Sequence, residues 1–458
     1  MKIVEIKYLL IALILALVLL TGPYLVRMLE GNPYTINSDT YYGLRLESMQ
    51  ATYHDPLQQR DLPLNILYFL HLPQANMFLI SKIIALILGL ASVALGYVIL
   101  KNFNMNEKNI AAILLLLVAS PIFIYTFIDF NTYAIIILLN LLIIFFLMKN
   151  KLYASTLLFL ILPFIDIYGA IISFLFIMLF IVSANKNLKS HRAFIIISIL
   201  AIIISIIINS MLGYNILGIT PFEKSNIITD IGADIGFSFS SIILSIIGLL
   251  LLWEKGWKNL VIYSVIILFI ILSVFSTFLR IYLNFLLAIY AGFAFIYLTR
   301  RKWSINIIKK ITILLIICSI LFTTLVYTTK IIKEPPNPDY ADALAFLNQQ
   351  SFADEHVLSS ADNGYLIEYF SQRAAFIDPK TYNFENARMQ VFENISTSRN
   401  LDRTEAMLKE YSIKYIFIDQ DYMQYLEEKQ GLLFLINTSN KFKNIYKNPG
   451  MEIWMYVQ

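Results

Sequence analysis

The 458-residue chain is poor in charge: only 14% of its residues are Asp, Glu, Lys or Arg, where an ordinary soluble domain carries about 25%. With 58% hydrophobic residues, that shortage excludes a wholly water-soluble protein. Cysteine is nearly absent. The single Cys318 lies in an apolar run, which excludes an intramolecular disulfide, a zinc knuckle and an iron–sulfur cluster. No basic cluster is interleaved with aromatics, so the chain is expected to have no nucleic-acid partner. There is no internal repeat, and no low-complexity segment beyond the apolar runs.

Long apolar runs are what the sequence does contain. Crossing about 30 Å of hydrocarbon takes about 20 apolar residues, and spans are predicted near 8–28, 77–100, 109–128, 132–148, 193–213, 238–253, 258–275, 279–299 and 310–328. The stretch Tyr153 to Ser183 is too long for one helix and is broken by Pro163 and Asp166, so it is predicted to form two short helices. The total is eleven. The first run continues through Gly22 and Pro23 with no small-residue cleavage site, so it is expected to stay as a span.

Charge is divided unevenly. Residues 1–333 carry 24 Lys and Arg against 13 Asp and Glu, and residues 334–458 carry 11 against 18. Lys2 and Lys7, Lys101 and Lys108, Lys149 and Lys151, Lys186, Lys189 and Arg192, Lys255 and Lys258, then Arg300, Arg301 and Lys302 fall on alternate connections. Cationic short loops stay in the cytoplasm, which places the N-terminus inside and, after eleven crossings, the tail outside. The expectation is a multi-pass cell-membrane protein with a transmembrane domain over 1–333 and an extracytoplasmic α/β domain over 334–458.

The predicted outer face holds most of the body's carboxylates. The loop Leu29 to Asn76 places Tyr42, Leu46, Met49 and Tyr53 at helical spacing and is predicted to lie as a surface helix. The loop Gly213 to Gly236 is predicted to cover a cavity. In the tail, Pro335, Pro336 and Pro338 make a stiff linker. Helices are predicted at Asp339 to Asn348, Tyr365 to Gln372 and Arg403 to Tyr411. Strands are predicted at His356 to Ser359, Ala374 to Ile377 and Ile413 to Ile418, and Asn448-Pro449-Gly450 reads as a turn between two terminal strands.

Six positions stand out. Asp39 is a helix N-cap or a functional carboxylate. Asp129, in a very short turn, caps the next span or faces a cavity. Asp166 interrupts an apolar run, where carboxylates are expensive and usually functional. Arg280, isolated from other cations at the start of a span, either snorkels to the headgroups or clamps a phosphate. The loop carboxylates Glu223 and Asp230 are cavity candidates.

The stretch Asp39-Thr40-Tyr41-Tyr42-Gly43-Leu44-Arg45, the Ala119-Ser120-Pro121 start of the second outer turn, the late arginine and the outer α/β tail together resemble the GT-C superfamily of integral membrane glycosyltransferases. Val357 to Ile367, followed by Arg373 and Asp378, is similar to the segment around the WWDYG motif of archaeal oligosaccharyltransferase catalytic subunits. Asp362 and Gly364 fit that motif. Ser360 and Ala361 stand where the family has tryptophans and Asn363 where it has tyrosine, which points to an acceptor other than a protein sequon.

The resemblance implies transfer of a sugar from a polyprenyl- or dolichyl-phosphate carrier to a glycan, lipid or protein acceptor at the outer membrane face, usually with inversion. It implies Asp39 as general base or acceptor-orienting carboxylate and Arg280 on the donor phosphate. Asp129, Asp166, Glu223 and Asp230 would support the cavity. Asp39, Asp129 and Glu223 would suit a divalent cation, Mg²⁺ or Mn²⁺, as hard oxygen ligands. The alternatives are en bloc oligosaccharyl transfer to protein, or a transporter or flippase of lipid-linked sugars. A carrier, however, should show charge or broken helices on both sides.

Overall fold

The structure, a computed structural model, describes residues 3–36, 40–41, 44, 74–183, 191–211, 228–231, 235–253, 257–351, 355–379 and 386–457. The predicted surface helix after Leu29 and most of the loop from Gly213 lie outside them. Two compact units emerge, dividing at Lys333/Glu334. Among the described residues, 31–36, 40–41, 44 and 74–78 belong with the second unit although they come early in the chain.

The first unit is a helical bundle: α1 (Ile3–Leu29), α2 (Gln74–Asn102), α3 (Glu107–Val118), α4 (Pro121–Ile128), α5 (Thr132–Met148), α6 (Leu152–Ile165), α7 (Ile167–Ser183), α8 (Arg192–Met211), α9 (Phe239–Leu251), α10 (Trp257–Ser273), α11 (Thr277–Arg300) and α12 (Asn306–Lys333). Helix stands at every predicted span, but the third is not continuous. α3 and α4 meet at 66°, because Pro121 at the first position of α4 has no N–H to continue the ladder. Among the described residues, α1, α2, α11 and the helix beginning at Asn306 are long and apolar enough to cross a membrane alone, and the bent pair would make a fifth. The remaining apolar helices are shorter.

α11 runs through the core against α3, α9 and α10. Two glycines permit the closest crossings: a Cβ on Gly248 of α9 would lie 1.9 Å from the Tyr290 carbonyl oxygen, and one on Gly292 would lie 2.4 Å from Ile113 of α3. Outward faces stay apolar. Ile196, Leu200, Ile203 and Ile207 of α8, and Leu314, Phe322 and Leu325 of α12, are exposed. That is the surface of a protein solvated by lipid tails rather than water.

The second unit is α/β: α13 (Pro338–Gln350), β1 (His356–Leu358), α14 (Gly364–Ser371), α15 (Asn386–Thr397), α16 (Leu401–Glu410), β2 (Ile413–Ile418), α17 (Gln420–Lys429), α18 (Leu432–Thr438), β3 (Phe442–Asn448) and β4 (Met451–Tyr456). The sheet order is β1-β2-β4-β3, with β1 parallel to β2 and the rest antiparallel. Leu358, Ile416, Ile418, Leu426, Leu432 and Tyr456 share its core.

The predicted strand Ala374 to Ile377 is corrected to one isolated bridge, in which Val357 N–H donates to Ala374 O and Phe376 N–H to Val357 O. An apolar run buries itself beside β1 there without extending the ladder. Helices α15, α17 and α18 had no predicted counterpart. Their residues are mostly polar or short in run, so composition alone hid them.

Candidate active site

The charged side chains at one end of the bundle are built in from several helices. Arg27, in the last turn of α1, is fully buried. Its Nη1 donates to the carbonyls of Ile331 at 3.3 Å and Ile332 at 3.2 Å, at the end of α12 where carbonyls lack helical partners. Lys82 of α2 holds its ammonium 4.2 Å from the centroid of the Tyr24 ring and lies within electrostatic reach of both Asp129 and Arg27.

Asp129 follows the bent α4 and is fully buried. The capping reading does not belong to it: Asn131 is the N-cap of α5, accepting from Ala134 N–H at 2.9 Å and donating to Thr126 O at 3.2 Å. Asp129 is instead a buried carboxylate within electrostatic reach of Lys82. Sequence reasoning passed over both cations. The signal was present, since Lys82 is a lone charge inside an apolar helix and such residues mark function or pairing.

Asp166, by contrast, does cap, accepting from Gly169 N–H at the start of α7. Gly169 leaves room there: a Cβ would lie 2.7 Å from Ile136 Cδ1 of α5 and 3.0 Å from the Phe278 ring of α11, so both side chains would have to give way. One turn deeper, Asn140, Ser173 and Tyr282 form a buried polar knot joining α5, α7 and α11, with Ser173 Oγ 2.7 Å from Tyr282 Oη and 2.8 Å from Asn140 Nδ2.

Asp230 and Arg280 converge on one short segment. Asp230 accepts from Phe239 N–H at 2.7 Å, at the start of α9, and from the Thr323 hydroxyl of α12. Arg280 is 4% exposed. Its Nε donates to Ser273 O at 2.7 Å, Nη2 to Val274 O at 3.1 Å and Nη1 to Ile235 O at 3.1 Å. The guanidinium therefore points into the protein, closing the end of α10, rather than reaching for headgroups. Aromatic contacts join α4, α5 and α11, with Tyr125 tilted against Tyr133 at 5.9 Å and Tyr133 edge-on to Phe278 at 4.6 Å.

Asp39 and Glu223 lie outside the described residues. Among the described residues no group of three or more His, Cys, Asp or Glu is arranged to hold a metal. Asp129, the one described member of the predicted ligand set, has Lys82 within electrostatic reach, and that ammonium shares its charge with any divalent ion held there.

In the second unit the Ser360-to-Gly364 motif is a short turn leading into α14. Asp362 is exposed. Asn363 is buried, donating to Ser359 Oγ at 3.0 Å and accepting from Tyr340 Oη at 2.5 Å. Gly364 is there because a Cβ would fall 2.5 Å from Asp378 Cβ. Arg373 donates to the Asn348 and Ser351 carbonyls at 2.9 and 2.6 Å, closing α13. Nearby, burial pushes the Asp419 carboxyl above its ordinary range despite the bond it accepts from Tyr422 N–H. Burial, then Asp419 and Asp362, raise the Tyr340 phenol. The early residues of this unit add an aromatic cluster, with Tyr41 5.3 Å from Tyr369 and Tyr34 5.2 Å from Phe370.

The sequence matches no protein-family profile and no curated protein. Solved structures do match. The apo oligosaccharyltransferase of Archaeoglobus fulgidus aligns with a TM-score of 0.65 at 12% identity, over 99% of this chain and 74% of its own. The same enzyme tethered to an acceptor peptide containing the NVT sequon gives 0.61 at 12% identity, over 100% and 74%. ArnT from Cupriavidus metallidurans bound to undecaprenyl phosphate gives 0.50 at 10% identity, over 98% of this chain and 97% of its own. At 10–12% identity the likeness is one of fold: along almost its whole length the chain is folded like this oligosaccharyltransferase and like ArnT.

Proposed function

We propose that the protein is an integral membrane glycosyltransferase that moves a sugar from a polyprenyl-phosphate carrier to an acceptor at the outer membrane face, with inversion. The observation that carries this reading is the likeness in fold, along almost the whole chain, to both an oligosaccharyltransferase and an ArnT bound to undecaprenyl phosphate. The N-terminus is assigned to the cytoplasm and the second unit to the outside. Fusions of a topology reporter after Lys101, Lys186 and Arg301 should then report cytoplasm, and one after Asn337 the exterior.

In the transfer, the acceptor's nucleophilic atom bonds to the anomeric carbon as the bond from that carbon to the phosphate oxygen breaks. The lipid phosphate leaves with the electron pair and needs no general acid. Asp39 takes the acceptor's proton or orients the acceptor. Arg280, its plane fixed by three carbonyls, meets the phosphate from the protein side. Asp129, Asp166, Glu223 and Asp230 shape the cavity. Asp230 does so by holding the segment that Arg280 also grips. A divalent cation held by Asp39, Asp129 and Glu223 would supply charge neutralisation at the phosphate.

The test supplies purified protein in lipid nanodiscs with a panel of radiolabelled polyprenyl-phosphate sugars and follows release of free lipid phosphate. No release with any donor, in the presence of total membrane acceptors, would overturn the reading. En bloc transfer to protein is the second reading. The TM-score of 0.65 with the apo oligosaccharyltransferase supports it, while the nearly full-length cover of ArnT, 97% against 74%, supports the single-sugar reading. The replacement of the motif's aromatic residues by Ser360, Ala361 and a buried Asn363 weighs against a protein sequon.

A further inference from the structure

In the second unit, α15 and α17 enclose an open cleft of about 360 Å³ lined by Gln390, Glu393, Asn394, Thr397, Tyr425 and Lys429. The first four recur at i, i+3, i+4 and i+7, one face of α15. Tyr425 and Lys429 supply the wall from α17. Tyr425 is the outermost of three nearly parallel rings, 5.9 Å and 21° from Phe392 and 6.1 Å and 18° from Tyr422. Tyr422 and Phe392 are buried and the three centroids lie 5.8 to 6.1 Å from one another, so the half-buried Tyr425 ring is held by two fixed neighbours. None of these residues belongs to the proposed transfer site.

We propose that this cleft binds a short neutral glycan of one or two pyranose rings. A pyranose presents a C–H face and a rim of hydroxyls that each donate and accept. The cleft offers a fixed aromatic ring flanked by two amides, a hydroxyl, a carboxylate and an ammonium, so both donors and acceptors are at hand. The polar groups are partly set in place. Arg403 Nη2 donates to Asn394 Oδ1 at 3.3 Å, which turns the Asn394 NH₂ to the donor side. The Thr397 hydroxyl donates to Glu393 O at 2.7 Å and leaves its lone pairs as acceptors.

One carboxylate and one ammonium cancel, which disfavours a phosphate or a nucleic acid. A lining this polar disfavours an apolar peptide. The volume sits at the small end of the usual range for ligand sites, about 300–1,000 Å³. Lys429, whose ammonium lies 5.5 Å from the Tyr425 centroid, is a long exposed side chain that a sugar ring can displace.

Full-length protein in lipid nanodiscs, free of glycoside detergents, is titrated calorimetrically with N,N′-diacetylchitobiose and with cellobiose. At least one is expected to bind with Kd of about 1 mM or tighter. Tyr425→Ala and Gln390→Ala should each weaken binding by about tenfold or more, equivalent to about 1.4 kcal/mol. Tyr425→Phe, which keeps the ring stack, should retain most of it, and Gln424→Ala, on α17 outside the cleft, should change nothing. No heat from either disaccharide up to about tenfold above that Kd, or undiminished binding in Tyr425→Ala, overturns the proposal. Because sugar transfer is not the readout, failure here is separable from failure of the glycosyltransferase reading.

Discussion

Arg280 in the helical body and Arg373 in the α/β tail do the same job in different solvents. Each closes the C-terminal end of a helix, Arg280 through the Ser273 and Val274 carbonyls where α10 ends and Arg373 through the Asn348 and Ser351 carbonyls where α13 ends. In the tail, water can take over if the arginine is removed. In the body Arg280 is nearly inaccessible, so its loss leaves carbonyls that only protein or lipid surrounds. The same contact is therefore a convenience in one unit and a requirement in the other. Arg27 and Asp129 of the body are likewise fully buried, whereas the ion pairs of the tail, such as Lys447 with Glu452 at 2.6 Å, have an exposed lysine and contribute little.

The largest expected effect would sharpen this contrast by separating chemistry from scaffolding. Asp39→Asn should lower turnover by about 10²-fold or more, the scale of general-base assistance, with donor binding and thermal stability nearly unchanged, since asparagine caps a helix about as well as aspartate. Asp55→Asn in the same loop is the matched control and should be nearly silent. Full activity of Asp39→Asn, measured as sugar transferred per minute, would pass the base role to Asp129 or Glu223.

Arg280→Lys should weaken the lipid donor by about 1.5–3 kcal/mol, the strength of a charge-assisted hydrogen bond, and affect the acceptor less, because an ammonium cannot reproduce the planar fork. Donor titration against the variant decides it. Unchanged donor affinity, with lowered thermal stability, would leave Arg280 as a brace for α10 alone. Arg373→Lys, the partner experiment in the tail, should cost only about 0.5–1.5 kcal/mol, read by amide hydrogen exchange in α13, with transfer unaffected. An effect as large as that in the body would break the comparison.

The smallest effect concerns Asp419, the N-cap of α17. Its folded-state pKa is raised by burial, so the folded protein binds the proton more tightly than the unfolded chain does. The charged form is the strained one: Asp419's contribution is most favourable below its unfolded pKa and worsens as pH rises through the raised folded value. Asp419→Asn should therefore stabilise the tail slightly at neutral pH and lose that advantage in mildly acidic buffer. Hydrogen exchange of α17 at the two pH values is the measurement, and equal protection of both proteins across the range would remove the charge penalty.

Much of the architecture was legible because it depends on sums over short windows. Runs of about 20 apolar residues and a jump in charge after Lys333 need no tertiary information, and helix stands at every predicted span. Pro163 and Asp166 correctly marked a helix joint. Pro121 broke a span that hydropathy read as whole, since hydropathy does not register a missing N–H. The candidate site was less legible. Arg280 and Asp230 were named one at a time, yet what each grips, the backbone at Ile235 and at Phe239, carries no side-chain signature.

The sequence by itself determined that this is a membrane protein with a polar tail, because burial in lipid is a property of composition along each helix. Only the tertiary structure decided which charges meet. Lys82 comes within electrostatic reach of Asp129 and Arg27 across long stretches of chain, Asn131 rather than Asp129 caps α5, and Gly364 is tied to Asp378 by a space that no side chain fits. Such pairings are fixed by the packing of helices against one another, and packing is a relation between segments that no window along the chain contains.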